Sequence, residues 1–185
     1  AKIAFSPINK SDSKKLSPEV LDDIYLGNPN WNRLVFVDGR FEPVLSFVND
    51  TDNIALKNLQ DVVGDKSYKL EQHLSKYKDY SNNAFVALNT AFIRDGALIQ
   101  ISDNGLIKEP IHIIYITTAS QPETASHPRT LILGGKGSQA EIIESYWGLG
   151  NESYLTNAVT EIFVGQFASI KYYKMELQNE NAFHI

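Results

Sequence analysis

The spacing of apolar positions changes along the chain, and each change predicts a different element. Leu21, Ile24 and Tyr25 recur at helical spacing. Ser17, Pro18 and Glu19 ahead of them supply a capping hydroxyl, a proline at the first helical position and a negative charge near the positive end of the helix dipole. Gly27 closes the run. Residues 1–17 are polar and read as a loose lead-in. The period then drops to that of a strand over residues 33–37, which end in Asp38-Gly39. Asp-Gly between apolar stretches predicts a two-residue hairpin turn, with a return strand over 41–47 that Pro43 marks as an edge.

Residues 54–94 read as helical in three pieces, 55–60, 68–77 and 82–94. The last is the clearest, with Phe85, Leu88 and Phe92 at i, i+3 and i+7. Asn82 or Asn83 can cap its start and Gly96 its end. After Gly96 the helical spacing disappears. Short runs rich in β-branched and aromatic residues predict strands over 97–101, 111–117, 130–133, 140–146, 158–164 and 169–177, punctuated by Gly, Asn and Pro. The chain therefore divides into a mixed helix-and-strand region, 1–95, and an all-strand region, 96–185.

A weak internal repeat lies in the second region. Gly137-Ser138-Gln139-Ala140-Glu141-Ile142 is similar to Gly165-Gln166-Phe167-Ala168-Ser169-Ile170 at an offset of 28, and each copy follows an apolar strand. Strand, glycine turn, small residue and strand, repeated, is what a stacked β-solenoid requires. A β-sandwich or jelly roll with strands of similar length fits the same pattern, and the pattern leaves both open.

Composition narrows the function classes. The chain has 185 residues, 17 basic and 22 acidic, for a net charge of −5. Residues 1–80 carry 11 basic and 12 acidic residues and 81–185 carry 6 and 10, so neither part has the positive excess of a nucleic-acid binder. With no cysteine, the chain by itself builds no disulfide, thiolate nucleophile or all-cysteine cluster site, which fits a reducing compartment. No apolar run approaches the roughly 18 residues of a membrane span, and the start has no basic-then-apolar signal peptide. The missing initiator Met and the strand-like end without a charged tail read as a piece cut from a longer protein.

Local chemistry is sparse. His73, His112, His127 and His184 form no metal-binding spacing. His112, between two isoleucines, reads as a hydrogen-bonded or surface strand position. His127 beside Arg129 reads as a solvated loop, with anion binding as the alternative. His184 stands at the end of the chain and its neighbours assign it nothing. Gly134-Gly135-Lys136-Gly137-Ser138 lacks P-loop spacing and reads as a strand connection. Glu141 and Glu144, an odd number apart, point to opposite faces of a strand. Glu141 and Glu161 remain as a carboxylate pair for a polysaccharide-active β-solenoid enzyme if adjacent coils bring them together, with plain surface carboxylates as the default reading. Lys171, Tyr172, Tyr173 and Lys174 are too few for a nucleic-acid platform. Tyr146, Trp147 and Tyr154 fit either an aromatic interface strip or core packing. No catalytic, cofactor-binding or metal-ligating residue is assigned.

Several segments, in order, carry a family resemblance: Leu34-Val35-Phe36-Val37-Asp38-Gly39-Arg40-Phe41, Phe85-Val86-Ala87-Leu88-Asn89-Thr90-Ala91-Phe92, Asp95-Gly96-Ala97-Leu98-Ile99, Pro110-Ile111-His112, His127-Pro128-Arg129, Ser138-Gln139-Ala140, Tyr154-Leu155-Thr156-Asn157-Ala158-Val159-Thr160-Glu161 and Ala182-Phe183-His184-Ile185. Together they resemble the SufB/SufD family of the SUF iron–sulfur cluster assembly machinery. The Val37-Asp38-Gly39-Arg40-Phe41 hairpin and the absent cysteines are nearer its SufD branch. The resemblance implies a mainly β fold in which an N-terminal α+β region leads into the first coils of a right-handed parallel β-helix, here truncated. It implies a non-catalytic scaffold subunit that pairs with a SufB-like paralogue and docks a SufC-like ABC ATPase, in the cytoplasm or in a plastid stroma. The ATPase-docking and cluster-related positions of the family lie beyond this stretch, so no cofactor is expected on it. A β-helix ending here would also expose a strand edge, through which the fragment is expected to self-associate.

Overall fold

A computed structural model describes residues 4–8, 13, 16, 18–49, 51–68, 70–76 and 83–185. Thirteen strands and three α-helices are assigned among them. β1 is Ser6–Pro7, α1 Pro18–Ile24, β2 Arg33–Val37, β3 Arg40–Phe41 and β4 Ile54–Asn58. α2 is Leu70–His73, α3 Ala84–Phe92, β5 Ala97–Ile101, β6 Ile111–Thr117 and β7 Thr124–Ser126. β8 is Arg129–Gly134, β9 Gln139–Gly148, β10 Tyr154–Thr156, β11 Val159–Val164, β12 Ser169–Leu177 and β13 Ala182–His184.

The fold is mainly β, in three sheets of order β4-β5-β8-β11, β3-β2-β6-β9-β12 and β1-β7-β10-β13, and none of them closes into a barrel. From β5 onward the chain visits the three sheets in turn, three times over, and every pairing between successive visits is parallel. The antiparallel strand pairs, β2–β3 and β4–β5, each include a strand that precedes Gly96.

One apolar cluster fills the space between sheets. Ile99 and Ile132 from the first sheet face Ile113, Ile142, Tyr115 and Tyr146 from the second. Two further layers cover the outer faces. Leu59, Val62 and Leu70 lie over Leu98, Leu131 and Leu133 of the first sheet. Val20, Leu21 and Ile24 of α1 lie over Val35, Val37, Ile114 and Ile116 of the second. Cover on both faces explains why β6 and β8 are buried at every residue and read in sequence as continuous apolar runs.

The Asp38-Gly39 hairpin is present, with both residues at positive φ, 52° and 75°, as a type I′ turn demands. Its return strand is only Arg40–Phe41; beyond Pro43 the chain turns, and Phe47 touches Arg33 through an isolated bridge. The Ser17 cap lies outside the described residues. The helix expected over 55–60 is instead β4 followed by a 3-10 turn, Leu59–Val62. Alanine, leucine and lysine favour helix, but Ile54↔Ile101 and Leu56↔Ile99 pairing buries alternate β4 side chains and overrides that preference. The helix expected over 68–77 shortens to a 3-10 turn and four residues of α2, its Lys69 and Tyr77 lying outside the described residues.

α3 is capped by Asn83, whose side chain accepts from Phe85 N and Val86 N; the other candidate cap, Asn82, lies outside the described residues. The helix ends at Ile93 in an extended conformation, not at Gly96. Gly96 has another reason to be glycine, since a Cβ there would lie 2.5 Å from Arg129 O. The face of α3 turned to the sheets carries Val86 and Asn89, while the apolar stripe Phe85, Leu88 and Phe92 is exposed.

The repeat is real, but the two segments matched at 28 pair at an offset of 30, and other turns pair at 28 to 33. Ser169 pairs with Gln139, Val159 with Arg129 and Tyr154 with Thr124, each 30 residues apart. The expected offset of 28 is thus wrong by two. A two-residue slip keeps every side chain on its own face of the strand, so the hydrophobic pattern could not reveal it. The true alignment stacks three corners, Asn104, Gly137 and Phe167, at φ 59°, 65° and 61°. Asn104 N donates to Lys136 O, and Gly137 N to Gln166 O, joining each corner to the next. Asn and Gly tolerate this left-handed conformation, whereas Phe is strained there. Phe167 is also 80% exposed, so its ring contributes little to folding. Phe167→Asn is expected to stabilise the protein by about 1 kcal/mol in chemical denaturation; a loss of stability would show that the ring is needed.

Candidate functional site

Two polar clusters stand inside this apolar framework. The first lies under α2 and α3. Arg129 is fully buried at the start of β8, and its guanidinium pairs with the buried Glu161 of β11. Arg129 also donates to Asn89 Oδ1 at 3.1 Å and to Ser75 Oγ at 3.2 Å, and Ser75 N donates to Glu161 Oε2 at 2.9 Å. Asn89 Nδ2 donates to the carbonyls of Pro128 and Asn157, both at 2.8 Å. The cluster therefore fastens the helical cover to the first sheet.

The second cluster lies between the sheets at the level of the last strands. Glu144 of β9 is fully buried. Tyr146 donates its hydroxyl to Glu144 Oε1, and Thr160 Oγ1 lies 3.0 and 3.2 Å from the two carboxylate oxygens. Tyr115, Tyr146 and His184 form a ring column, with centroids 5.2 Å and 4.6 Å apart. Burial pushes the Glu144 carboxyl above its ordinary value, against the lowering effect of its hydrogen bonds to Tyr146, Thr130 and Thr160. A raised carboxyl binds protons more tightly folded than unfolded, so stability falls as pH rises from the ordinary carboxylate value through the raised one. Glu144→Gln is expected to remove that fall and to raise stability at neutral pH. Denaturation curves at pH 5 and pH 8 check it, and an unchanged pH dependence would contradict it.

The remaining sequence candidates are placed as follows. His112 is buried and bonded to Ser145 Oγ at 2.8 Å, the hydrogen-bonded alternative. His127 is neither a plainly solvated loop residue nor an anion site with Arg129. It stacks on Phe92 and bonds Asn157, while Arg129 is committed to Glu161. His73 packs on Phe163. Of the Gly134–Ser138 segment, Gly134 ends β8 and residues 135–138 connect it to β9. Tyr146 and Tyr154 are buried, which is core packing.

Glu141 and Glu161 do not form a pair: they stand on β9 and β11, in different sheets, with Glu141 near Lys171 at the surface and Glu161 buried against Arg129. The surface reading fails for Glu144 and Glu161 alike, because Thr160 of β11 reaches Glu144 and Arg129 of β8 reaches Glu161 from other strands. No local signal in the sequence marks either. Among the described residues, no group of three or more His, Asp or Glu side chains could hold a metal ion, and no helix is long and apolar enough to cross a membrane.

Residues 30–113 match the family model for the SufBD protein N-terminal region, and residues 115–185 match that of the SUF system FeS cluster assembly SufBD core domain. An iron–sulfur cluster assembly SufBD family protein of Synechocystis is 29% identical over 173 residues, 89% of this chain. A chloroplastic SufBD family protein of Arabidopsis thaliana is 34% identical over 107 residues, and a second Arabidopsis member 30% identical over 104, each covering 56% of the chain. The chain spans 38%, 18% and 22% of the lengths of these three relatives.

Proposed function

Because the chain belongs to the SufB/SufD family of iron–sulfur cluster assembly proteins, we propose that it is part of a SufD-type scaffold subunit without catalytic chemistry of its own. Its strands form the first coils of a right-handed parallel β-helix, built on an N-terminal region that ends near residue 95. The strand order supports this reading, since each turn of chain returns to the same three sheets and parallel crossovers within a sheet are right-handed in nearly all proteins. The absence of cysteine fits a SufD-type rather than a thiolate-bearing member. The subunit pairs with a SufB-like paralogue and a SufC-like ABC ATPase, in the cytoplasm or, in a plant or alga, the plastid stroma.

The observation that carries the scaffold reading is the edge formed by β11, β12 and β13, each of which pairs on one side only among the described residues. Phe163, Val164, Phe167, Leu177 and Phe183 are exposed in the same last turn of chain. Open strand edges beside apolar side chains take up further β structure. Affinity capture of the full-length protein from a gentle lysate, with mass spectrometry, tests the assignment. Recovery of a SufB-like protein and an ABC-type ATPase is the expected result, and recovery of neither overturns it. The 185-residue chain by itself is expected to self-associate through the same edge. A strictly monomeric species at tens of micromolar in light scattering would contradict that.

A further inference from the structure

The geometry points to a proton-controlled latch at the last strand, in which Lys174 holds His184 only while the imidazole is neutral and gives up Glu176 to it once it is charged. His184 of β13 has both ring nitrogens engaged. Nδ1 lies 2.7 Å from Gln178 Oε1, and Nε2 lies 2.8 Å from Lys174 Nζ. An amide oxygen only accepts and an ammonium only donates, so the pair of contacts fixes one tautomer: Nδ1–H donates to Gln178, and bare Nε2 accepts from Lys174. A second proton on the ring would sit on Nε2 and face the ammonium, two donors and two positive charges at 2.8 Å. The present arrangement therefore exists only with neutral His184.

The alternative arrangement has its parts in place. Glu176 Oε1 lies 3.0 Å from Lys174 Nζ and 3.5 Å from His184 Nε2. A small turn of the imidazole exchanges the lysine for the carboxylate. Lys174 is the side free to leave, being long, flexible and a third exposed. Among the described residues the other ionisable groups nearby are Tyr146, whose ring His184 meets edge-on, and Glu144, Tyr115 and Tyr172 beside Tyr146. Lys174 Nζ stands 5.1 Å from the centre of the Tyr146 ring, so its departure also removes the cationic cover over the buried Tyr146–Glu144 pair. Burial lowers the His184 affinity for a proton, Lys174 lowers it further and Glu176 opposes both.

NMR titration of the intact chain between pH 8 and pH 5 tests the latch, following the His184 ring and the Lys174 side-chain methylene beside Nζ. The expected result is one shared midpoint below that of an ordinary histidine, with the Lys174 signal moving as His184 charges. Lys174→Met should raise the His184 midpoint and Glu176→Gln should lower it, with circular dichroism unchanged because both side chains reach solvent. A His184 midpoint that ignores Lys174→Met, or a Lys174 signal that stays still through the transition, overturns the proposal.

Discussion

Replacing Glu161 with alanine is expected to lower the free energy of unfolding by about 3–5 kcal/mol. The change would leave the Arg129 guanidinium buried without its counter-charge, beside the neutral oxygens of Asn89, Thr90 and Ser75. The same substitution removes the acceptor for Ser75 N, at a residue whose φ of 65° already strains the backbone. Loss of protection should therefore begin in α2 and α3 before the sheets, which amide hydrogen exchange would resolve. The double variant Arg129→Met/Glu161→Leu should recover most of the loss, since an apolar pair of similar volume carries no desolvation penalty. A Glu161→Ala protein within about 1 kcal/mol of the wild type would mean that water reaches the guanidinium, as at an exposed pair.

Acidification is expected to destabilise the protein through His112. Burial, reinforced by the nearby Arg33 charge, lowers its pKa to about 4. The unfolded chain, with an ordinary histidine near 6.5, binds the proton more readily than the folded one. Stability from this group is thus complete above about pH 6.5 and is lost progressively as pH falls toward 4, by about 3 kcal/mol in all. Glu144 acts in the opposite sense, gaining stability as it protonates, so the wild-type profile is the sum of the two. His112→Phe removes the histidine contribution. It should be less stable at pH 7, because Ser145 loses a partner, yet flatter between pH 6.5 and 4 than the wild type. Equal slopes in the two proteins would show that His112 is charged in the folded state.

Local patterns were legible wherever the cause was local. Asp38-Gly39 announced its turn because the turn requires positive φ at both positions. Strands β5, β6 and β12 could be read because each has five or more residues of β-type composition. The third sheet went unread. Its strands, such as Tyr154–Thr156 and Ala182–His184, are three residues or fewer, too short to display a period. β4 was misread because its residues favour helix and only its partner β5, about forty residues on, makes it a strand.

The sequence alone determined the mainly β character beyond Gly96, the hairpin, the helix capped by Asn82 or Asn83, the absence of thiol chemistry and the family resemblance. Each depends on residue type or on neighbours a few positions apart. Tertiary structure decided the 30-residue register of β9 and β12, because a slip of two leaves the facial pattern intact. It also decided that Glu144 and Glu161 are buried. Glu161 meets Arg129 32 residues away and Ser75 86 away, and Glu144 meets Thr160 on another sheet. Contacts at such separations leave no trace in local composition. They follow from the order in which the chain returns to its three sheets.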